Sequence, residues 1–155
     1  MEFSTFQAAK ILKTDYTCLN EWLKLIDLKK KASGRGTRTK LPIVDLYRLK
    51  TFEVMIDVIG LDRKTAAKIV DQLNDTKADD WGKKYISLTF GIDKLAFGHL
   101  TSDAPQDAMT KNGTITIEVE NEQKKKSPIV AQLSIKLSTI KTAVDARLKE
   151  VEKEI

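Results

Sequence analysis

The spacing of apolar residues changes once along the chain, and this change constrains the fold more than any other feature of the sequence. Up to about residue 76, apolar side chains recur every three or four residues, which is the period of an amphipathic helix. From residue 85 they alternate with polar side chains, which is the period of a half-buried strand. The sequence therefore predicts an α+β protein, with a mostly helical domain over 1–78 and a small mixed domain over 79–155.

Four helices are predicted in the first domain. Polar caps and a proline precede them, and a glycine ends the third. These start and stop signals are Ser4 (with Gln7 as a capping box), Asp15, Pro42, Gly60 and Asp62. The apolar stripes of the four helices are Phe6, Ala9 and Leu12; Leu19, Trp22, Leu23 and Ile26; Leu46, Leu49, Phe52, Ile56 and Ile59; and Ala66, Ile69, Val70 and Leu73. The first two helices are predicted over about 5–13 and 16–26, separated by a tight turn.

The second domain is predicted from alternating segments and a terminal helix. Strands are expected over about 86–90 and 115–119, and a short one near 95–100. Residues 129–138 fit either a strand or a helix, and we prefer a strand followed by a helix over about 139–153. Because a lone helix of this length is marginal in water, its apolar face must dock on the sheet or on another subunit. The dimerisation residues predicted on this face are Ile140, Val144, Leu148 and Val151.

The positive charge is concentrated in one segment. The chain carries a net charge of +5, and between Lys24 and Lys40 it has seven basic residues against the single acidic residue Asp27. Serine, threonine and glycine separate these cations, so the segment is predicted to be a basic loop. A solvated surface loop accounts for the charge equally well when the cluster is considered by itself.

The second predicted helix has a polar side suited to DNA. Thr17, Asn20, Glu21 and Lys24 lie roughly opposite its apolar stripe at about 100° per residue. Two short helices joined by a tight turn form the helix-turn-helix arrangement, whose second helix enters the major groove. Asparagine can pair with adenine, and threonine suits a thymine methyl group or a phosphate. The alternative interpretation of these polar residues is plain solvent exposure.

Four stretches resemble, in order, the MerR-type winged-helix DNA-binding family. They are Phe3-Ser4-Thr5 through Ala8-Ala9-Lys10; Thr17-Cys18-Leu19-Asn20-Glu21-Trp22; Gly34-Arg35-Gly36-Thr37-Arg38 followed by Val44-Asp45-Leu46-Tyr47-Arg48-Leu49; and Gly60-Leu61-Asp62 through Ile69. The resemblance covers about half the chain. It implies that the second helix faces the groove and that Arg35 and Arg38, in the wing, grip phosphate or the adjacent minor groove.

The full set of predicted DNA-contacting residues comes from this helix and the basic segment. They are Tyr16, Thr17, Asn20, Lys24, Lys29, Lys30, Arg35, Arg38 and Lys40. The sequence departs from the family at two positions: Thr17 stands where an arginine is common near the start of the second helix, and Leu41 stands where an aromatic residue is usual after the wing. The family's base preference therefore does not transfer to this chain.

Motifs of other functional classes are missing from the sequence. One cysteine, Cys18, and one histidine, His99, cannot form a disulfide or a zinc site within the chain, and no phosphate-binding glycine pattern occurs. We therefore expect no enzymatic activity, no cofactor and no metal. No run of apolar residues exceeds three, so we expect no membrane segment and a cytoplasmic, nucleoid-associated protein.

These observations favour a sequence-specific double-stranded DNA-binding transcription regulator, a repressor of the type found in phages and mobile elements. It would bind an inverted-repeat operator as a homodimer or higher homo-oligomer, because one short helix contacts too few bases to be selective. Two alternatives stay open: an excisionase-like or architectural DNA-binding protein, and a protein-interaction or antitoxin-like module.

Overall fold

The computed structural model describes residues 1–26, 28, 40–91, 96–101, 118–120 and 126–154. This part of the chain contains five α-helices and two antiparallel sheets, so the predicted α+β class is confirmed. The elements are β1 (Glu2–Ser4), α1 (Thr5–Leu12), α2 (Tyr16–Leu25), β2 (Lys40–Pro42), α3 (Ile43–Val54), α4 (Arg63–Asp71), β3 (Tyr85–Gly91), β4 (Ala96–Thr101), β5 (Glu118–Glu120), β6 (Lys126–Lys136) and α5 (Leu137–Lys153). A π-helical turn follows α3 over Met55–Ile59, and a 3-10 turn lies at Ala78–Asp80.

The chain divides into two compact units that do not follow the expected boundary. One, the helical unit, comprises Met1–Gly82 and Ser138–Ile155, and the other, the sheet unit, comprises Lys83–Leu137. We had expected contiguous domains over 1–78 and 79–155. The difference arises because the last helix belongs to the helical unit, where its apolar face is buried. The spacing of apolar residues predicts that face but not the surface that covers it.

The α3–α5 clamp, formed by Tyr47, Lys141 and Asp145, ties this last helix to the rest of the helical unit. The Tyr47 phenol donates a hydrogen bond of 2.5 Å to one oxygen of Asp145, and the Lys141 ammonium donates one of 2.5 Å to the other. Burial and the hydrogen bond to Asp145 raise the pKa of Tyr47 to about 12. The bond to Asp145 also raises the pKa of Lys141. The clamp therefore joins residues that are 98 positions apart.

Helix α1 begins at the predicted capping box. The Ser4 hydroxyl accepts from the Gln7 amide at 3.2 Å, and the Gln7 side chain accepts from the Ser4 amide at 2.9 Å. Lys13, with a left-handed φ of 54°, ends the helix. Phe6 is 60% exposed, although we expected it in the apolar stripe. Ala9 and Leu12 are buried as expected, and Ala8 and Ile11, which also have helical spacing, lie inward in place of Phe6.

A short two-stranded sheet, β1 with β2, was not predicted. Phe3 lies opposite Leu41, and both side chains are buried. Strands of three residues are too short for alternation to identify them.

Helices α3 and α4 occupy the predicted segments, but the end of α3 differs in detail. The five residues after α3, Met55–Ile59, form the π-helical turn, which Gly60 closes with a φ of 85°. A π turn holds more residues than an α turn and so rotates the stripe. Met55 is consequently fully buried, whereas Ile56 and Ile59, which we expected in the core, are only half-buried.

The sheet unit has the strand order β4-β3-β6-β5. The strand predicted over 86–90 is confirmed, and so is a strand near 95–100. Residues 129–138 adopt the preferred arrangement, because β6 runs to Lys136 and α5 starts at Leu137. Of the strand expected over 115–119, the part before Glu118 lies outside the described residues. The alternation is confirmed at Ile86 and Ile135, which are paired and buried, but it fails at Leu133, which is 47% exposed opposite the buried Leu88.

Candidate nucleic-acid interface

Helix α2 has one buried side and one exposed side. Leu19, Trp22 and Leu23 are buried in the helical unit, and the edge of the Trp22 ring meets Phe52 with 5.7 Å between ring centres. These three residues recur at i, i+3 and i+4, so they form a single stripe along the helix. The stripe packs α2 into the helical unit and leaves the opposite side of the helix open.

The open side carries the predicted groove-facing residues. Tyr16 is 50% exposed, Thr17 and Lys24 are exposed, and Asn20 is half-buried. All four lie on one helix of ten residues. The helix therefore presents a phenol, a hydroxyl, an amide and a cation along one surface about 15 Å long, at 1.5 Å per residue.

The turn before α2 determines which groups its first residues can offer. The Thr14 amide donates to the Ala9 carbonyl at 3.0 Å, which holds the turn against the end of α1. The Asp15 carboxylate accepts from the Thr17 and Cys18 amides at 3.1 and 3.3 Å. Asp15 therefore occupies these two donors, and they are not available to an anion such as a DNA phosphate.

An ion pair between α2 and α4 borders the open side. The Arg63 guanidinium lies 3.5 Å from the Glu21 carboxylate, and both side chains are more than half exposed. An exposed pair of this kind contributes at most about 1 kcal/mol, so Arg63 can readily exchange partners. Our sequence reasoning did not include Arg63 among the DNA-contacting residues. The adjacent cations Arg63 and Lys64 were visible in the sequence, but only the packing of α4 places Arg63 beside α2.

The predicted wing residues are described only in part. Lys40 begins β2, is well exposed, and lies 4.0 Å from the Glu2 carboxylate of the paired strand. The other four predicted cations lie outside the described residues; they are Lys29, Lys30, Arg35 and Arg38.

The predicted dimerisation face is not an open surface. Ile140, Val144 and Val151 are buried within the single chain, and Leu148 is half-buried. This corrects the expectation that these four residues form an intersubunit seam. Their periodicity reflects packing inside the monomer, because the apolar face of a helix looks the same in the sequence whichever surface covers it.

Other kinds of site find little support in the described parts of the chain. There, no group of three or more His, Cys, Asp or Glu residues is placed to hold a metal ion. No helix among the described residues is long and apolar enough to cross a bilayer. No protein-family model matches the sequence, and no curated protein is significantly similar to it. The exposed side of α2 and its surroundings form the candidate functional site.

Proposed function

We propose that this protein is a sequence-specific double-stranded DNA-binding regulator whose helix α2 enters the major groove. The observation that carries the proposal is the exposed side of α2, where Thr17, Asn20 and Lys24 point away from the buried apolar stripe and Tyr16 lies at its border. A helix fits the major groove, which is about 12 Å wide, and the three-residue connection from α1 resembles a helix-turn-helix.

Charge and chain order support the same proposal. The strongly basic segment between Lys24 and Lys40 follows α2 directly in the sequence, and β2 returns the chain to pair with β1. In the MerR-type winged helix that the sequence resembles, this position belongs to the wing. Arg35 and Arg38 would neutralise phosphates there, while Asn20 would pair with adenine and Thr17 would contact a thymine methyl group.

The proposed mechanism is competition for promoter DNA. A regulator bound at an inverted repeat would exclude polymerase or another activator, and two copies would supply enough base contacts for selectivity. Since the stripe of α5 is buried within one chain, an intersubunit contact would have to use another surface.

The same burial favours one rival interpretation. Because the stripe of α5 does not supply the seam of a fixed dimer, monomers could assemble side by side on direct repeats, as an architectural or excisionase-like protein would. The arrangement of binding sites distinguishes the two interpretations.

Selection of bound duplexes from a random DNA pool at near-physiological salt tests the proposal. An enriched inverted repeat would support a dimeric regulator, and enriched direct repeats would support the architectural interpretation. If no sequence is enriched, sequence-specific recognition is ruled out and a protein-interaction module becomes the better explanation.

Substitutions then assign roles within the site. Asn20→Ala should cost about 1–3 kcal/mol at one base position of each half-site and leave other positions unchanged. Arg35→Ala combined with Arg38→Ala should weaken binding to all sequences and reduce the salt slope by about 0.9 for each phosphate that the protein no longer neutralises. A salt slope equal to that of the unaltered protein would exclude the wing from the interface.

A further inference from the structure

A pocket of about 230 Å³ lies between helices α1, α3 and α5, on a part of the helical unit that the DNA-binding proposal does not use. Ile11, Leu12 and Val144 form its apolar wall, and all three are buried. Ala143 and Ala146, two residues of α5, also line it. Their short side chains leave the space that longer residues would fill.

Cations predominate at the polar side of the pocket. Lys13, Lys50 and Arg147 line it, together with a single carboxylate, Glu150. Lys50 donates to Glu53 at 3.0 Å, and Nη1 of Arg147 donates to Glu150 at 2.5 Å. With Glu53 counted as the partner of Lys50, three cations face two anions, so this side of the pocket keeps an excess of one positive charge.

One donor of this lining has no partner among the described residues. Nε of Arg147 is buried and makes no hydrogen bond there, although the rest of the guanidinium reaches Glu150. A buried N–H group without an acceptor is costly, so such groups normally meet a protein atom, water or a ligand. Nε itself is out of contact with solvent, whereas the Arg147 side chain as a whole is 25% exposed, so an acceptor in the pocket would bond the outer N–H groups of the guanidinium.

The electrostatic setting of Glu150 is consistent with this excess. Its hydrogen bond to Arg147, and then the nearby charges of Arg147, Lys13 and Lys153, lower the pKa of Glu150. Lys13 is thus close enough for its charge to act on the same region of the pocket. A second anion placed there would be attracted by the same cations.

We propose that this pocket is a binding site for a small organic anion with an apolar body, such as an aromatic monocarboxylate. The carboxylate would lie between Arg147 and Lys13, and the apolar body would pack against Ile11, Leu12 and Val144. Pockets for drug-sized ligands span about 300–1,000 Å³, so the volume selects a smaller molecule. The site requires no DNA and stands or falls independently of the proposed function.

Benzoate, with benzamide as its neutral counterpart of similar shape, is the probe that tests the site. In a nitrogen-15 NMR titration of the full chain, benzoate should shift amides near residues 11–13 and 143–150 in a saturable manner. Benzamide should bind at least about tenfold more weakly, since it lacks the charge-assisted hydrogen bond. The absence of saturable shifts, or equal binding of both compounds, would overturn the proposal.

Four variants locate the binding. Arg147→Gln should weaken benzoate binding about tenfold, whereas Lys149→Gln, which removes the same charge from α5 outside the pocket, should not. Ala146→Leu should abolish binding by filling the pocket, and thermal unfolding verifies that this substitution leaves the fold intact. Glu150→Gln should strengthen binding, because it removes the competing anion. Equal weakening in Arg147→Gln and Lys149→Gln, or unchanged binding in Ala146→Leu, would contradict a defined site.

Discussion

Tyr47 joins two segments of the helical unit that are far apart in the chain. Its phenol donates to Asp145 on α5, and its ring lies 5.5 Å from the ring of Trp81, which is completely buried. The hydrogen bond stabilises the folded protein only while the phenol carries its proton. Because burial and Asp145 raise the pKa of Tyr47 from 10 to about 12, folding favours the protonated form.

The first prediction concerns pH. The contribution of Tyr47 to stability is complete below pH 10 and disappears as the pH rises toward 12, since the unfolded state releases the proton first. Tyr47→Phe should cost about 0.5–1.5 kcal/mol at pH 8 and reduce this alkaline destabilisation. Urea unfolding at pH 8 and pH 11 measures both effects. Tyr16→Phe, which alters an exposed phenol, is the matched control and should keep the alkaline destabilisation of the unaltered protein.

A second residue of α3, Arg48, is only 2% exposed. Its guanidinium lies 3.3 Å from Asp45 and 3.6 Å from Asp71, so it connects α3 with α4. Burial outweighs the opposing influence of Arg48 and raises the pKa of Asp45. A buried cation between two carboxylates is costly to remove, because its partners are left in a poorly solvated site.

Arg48→Met should therefore lower the free energy of unfolding by about 3 kcal/mol. Arg48→Lys should retain part of this amount, because an ammonium keeps the charge but cannot match the geometry of the guanidinium toward two partners. The control is Arg63→Met, which breaks an exposed pair and should cost less than about 1 kcal/mol. Equal destabilisation of Arg48→Met and Arg63→Met in chemical denaturation would show that the buried network is unimportant.

At the scale of single residues, the sequence predicted side-chain exposure more accurately in α2, where only one apolar stripe fits the helical period, than in α1, where two do. The stripe of α2 admits one solution, and Thr17 and Lys24 are exposed as expected. In α1 a second set with helical spacing, Ala8, Ile11 and Leu12, competes with the predicted one, and the structure buries every member of both sets except Phe6. The choice depends on what packs against the helix, and Phe6 is instead partnered by the Lys10 ammonium, 5.2 Å from its ring centre.

At the scale of elements, α5 shows how a correctly predicted helix was assigned the wrong partner. Its bounds, Leu137–Lys153, agree with the expectation of about 139–153, and its stripe is apolar as predicted. The stripe is nevertheless buried within one chain. Periodicity identifies a face that must be covered, whereas the covering surface is set by residues far away in the sequence.

Val144→Ala separates the two roles of this face. Val144 is 2% exposed, and removing two methyl-sized groups should lower the free energy of unfolding by about 1–3 kcal/mol. If the stripe packs within the monomer, this decrease will be the same at low and high protein concentration. The control Lys149→Ala, on the exposed side of α5, should have little effect. If the decrease instead becomes larger on dilution, the stripe of α5 forms an interface between two subunits.

At the scale of the whole molecule, the helical unit is built from both ends of the chain. The sheet unit is built from the residues that lie between those two segments in the sequence. Both tryptophans, Trp22 and Trp81, are buried in the helical unit. Tryptophan fluorescence therefore follows the unfolding of that unit alone.

A chain ending at Gly82 should unfold at a lower urea concentration than the full protein, because it lacks α5 and the clamp. A synthetic peptide of residues 138–155 should raise this midpoint when added in excess, since it binds only the folded form. A peptide of the same composition in scrambled order is the control. If the shortened chain unfolds at the same urea concentration as the full protein, α5 does not stabilise the helical unit, and residues 1–78 form a contiguous domain as the sequence predicted.

By itself the sequence determined the local structure: the capped starts of α1, α2 and α4, the glycine that closes the π turn, and the alternation of β3 and β6 at Ile86 and Ile135. These features depend on residues only a few positions apart, and chain geometry repeats them with a fixed period. Only the tertiary structure decided the assignment of α5 to the helical unit, the bond between Tyr47 and Asp145, the pairing of Phe3 with Leu41 and the pocket lined by Arg147. Partners so far apart leave no periodic signal, because packing depends on shape and charge in three dimensions rather than on spacing along the chain.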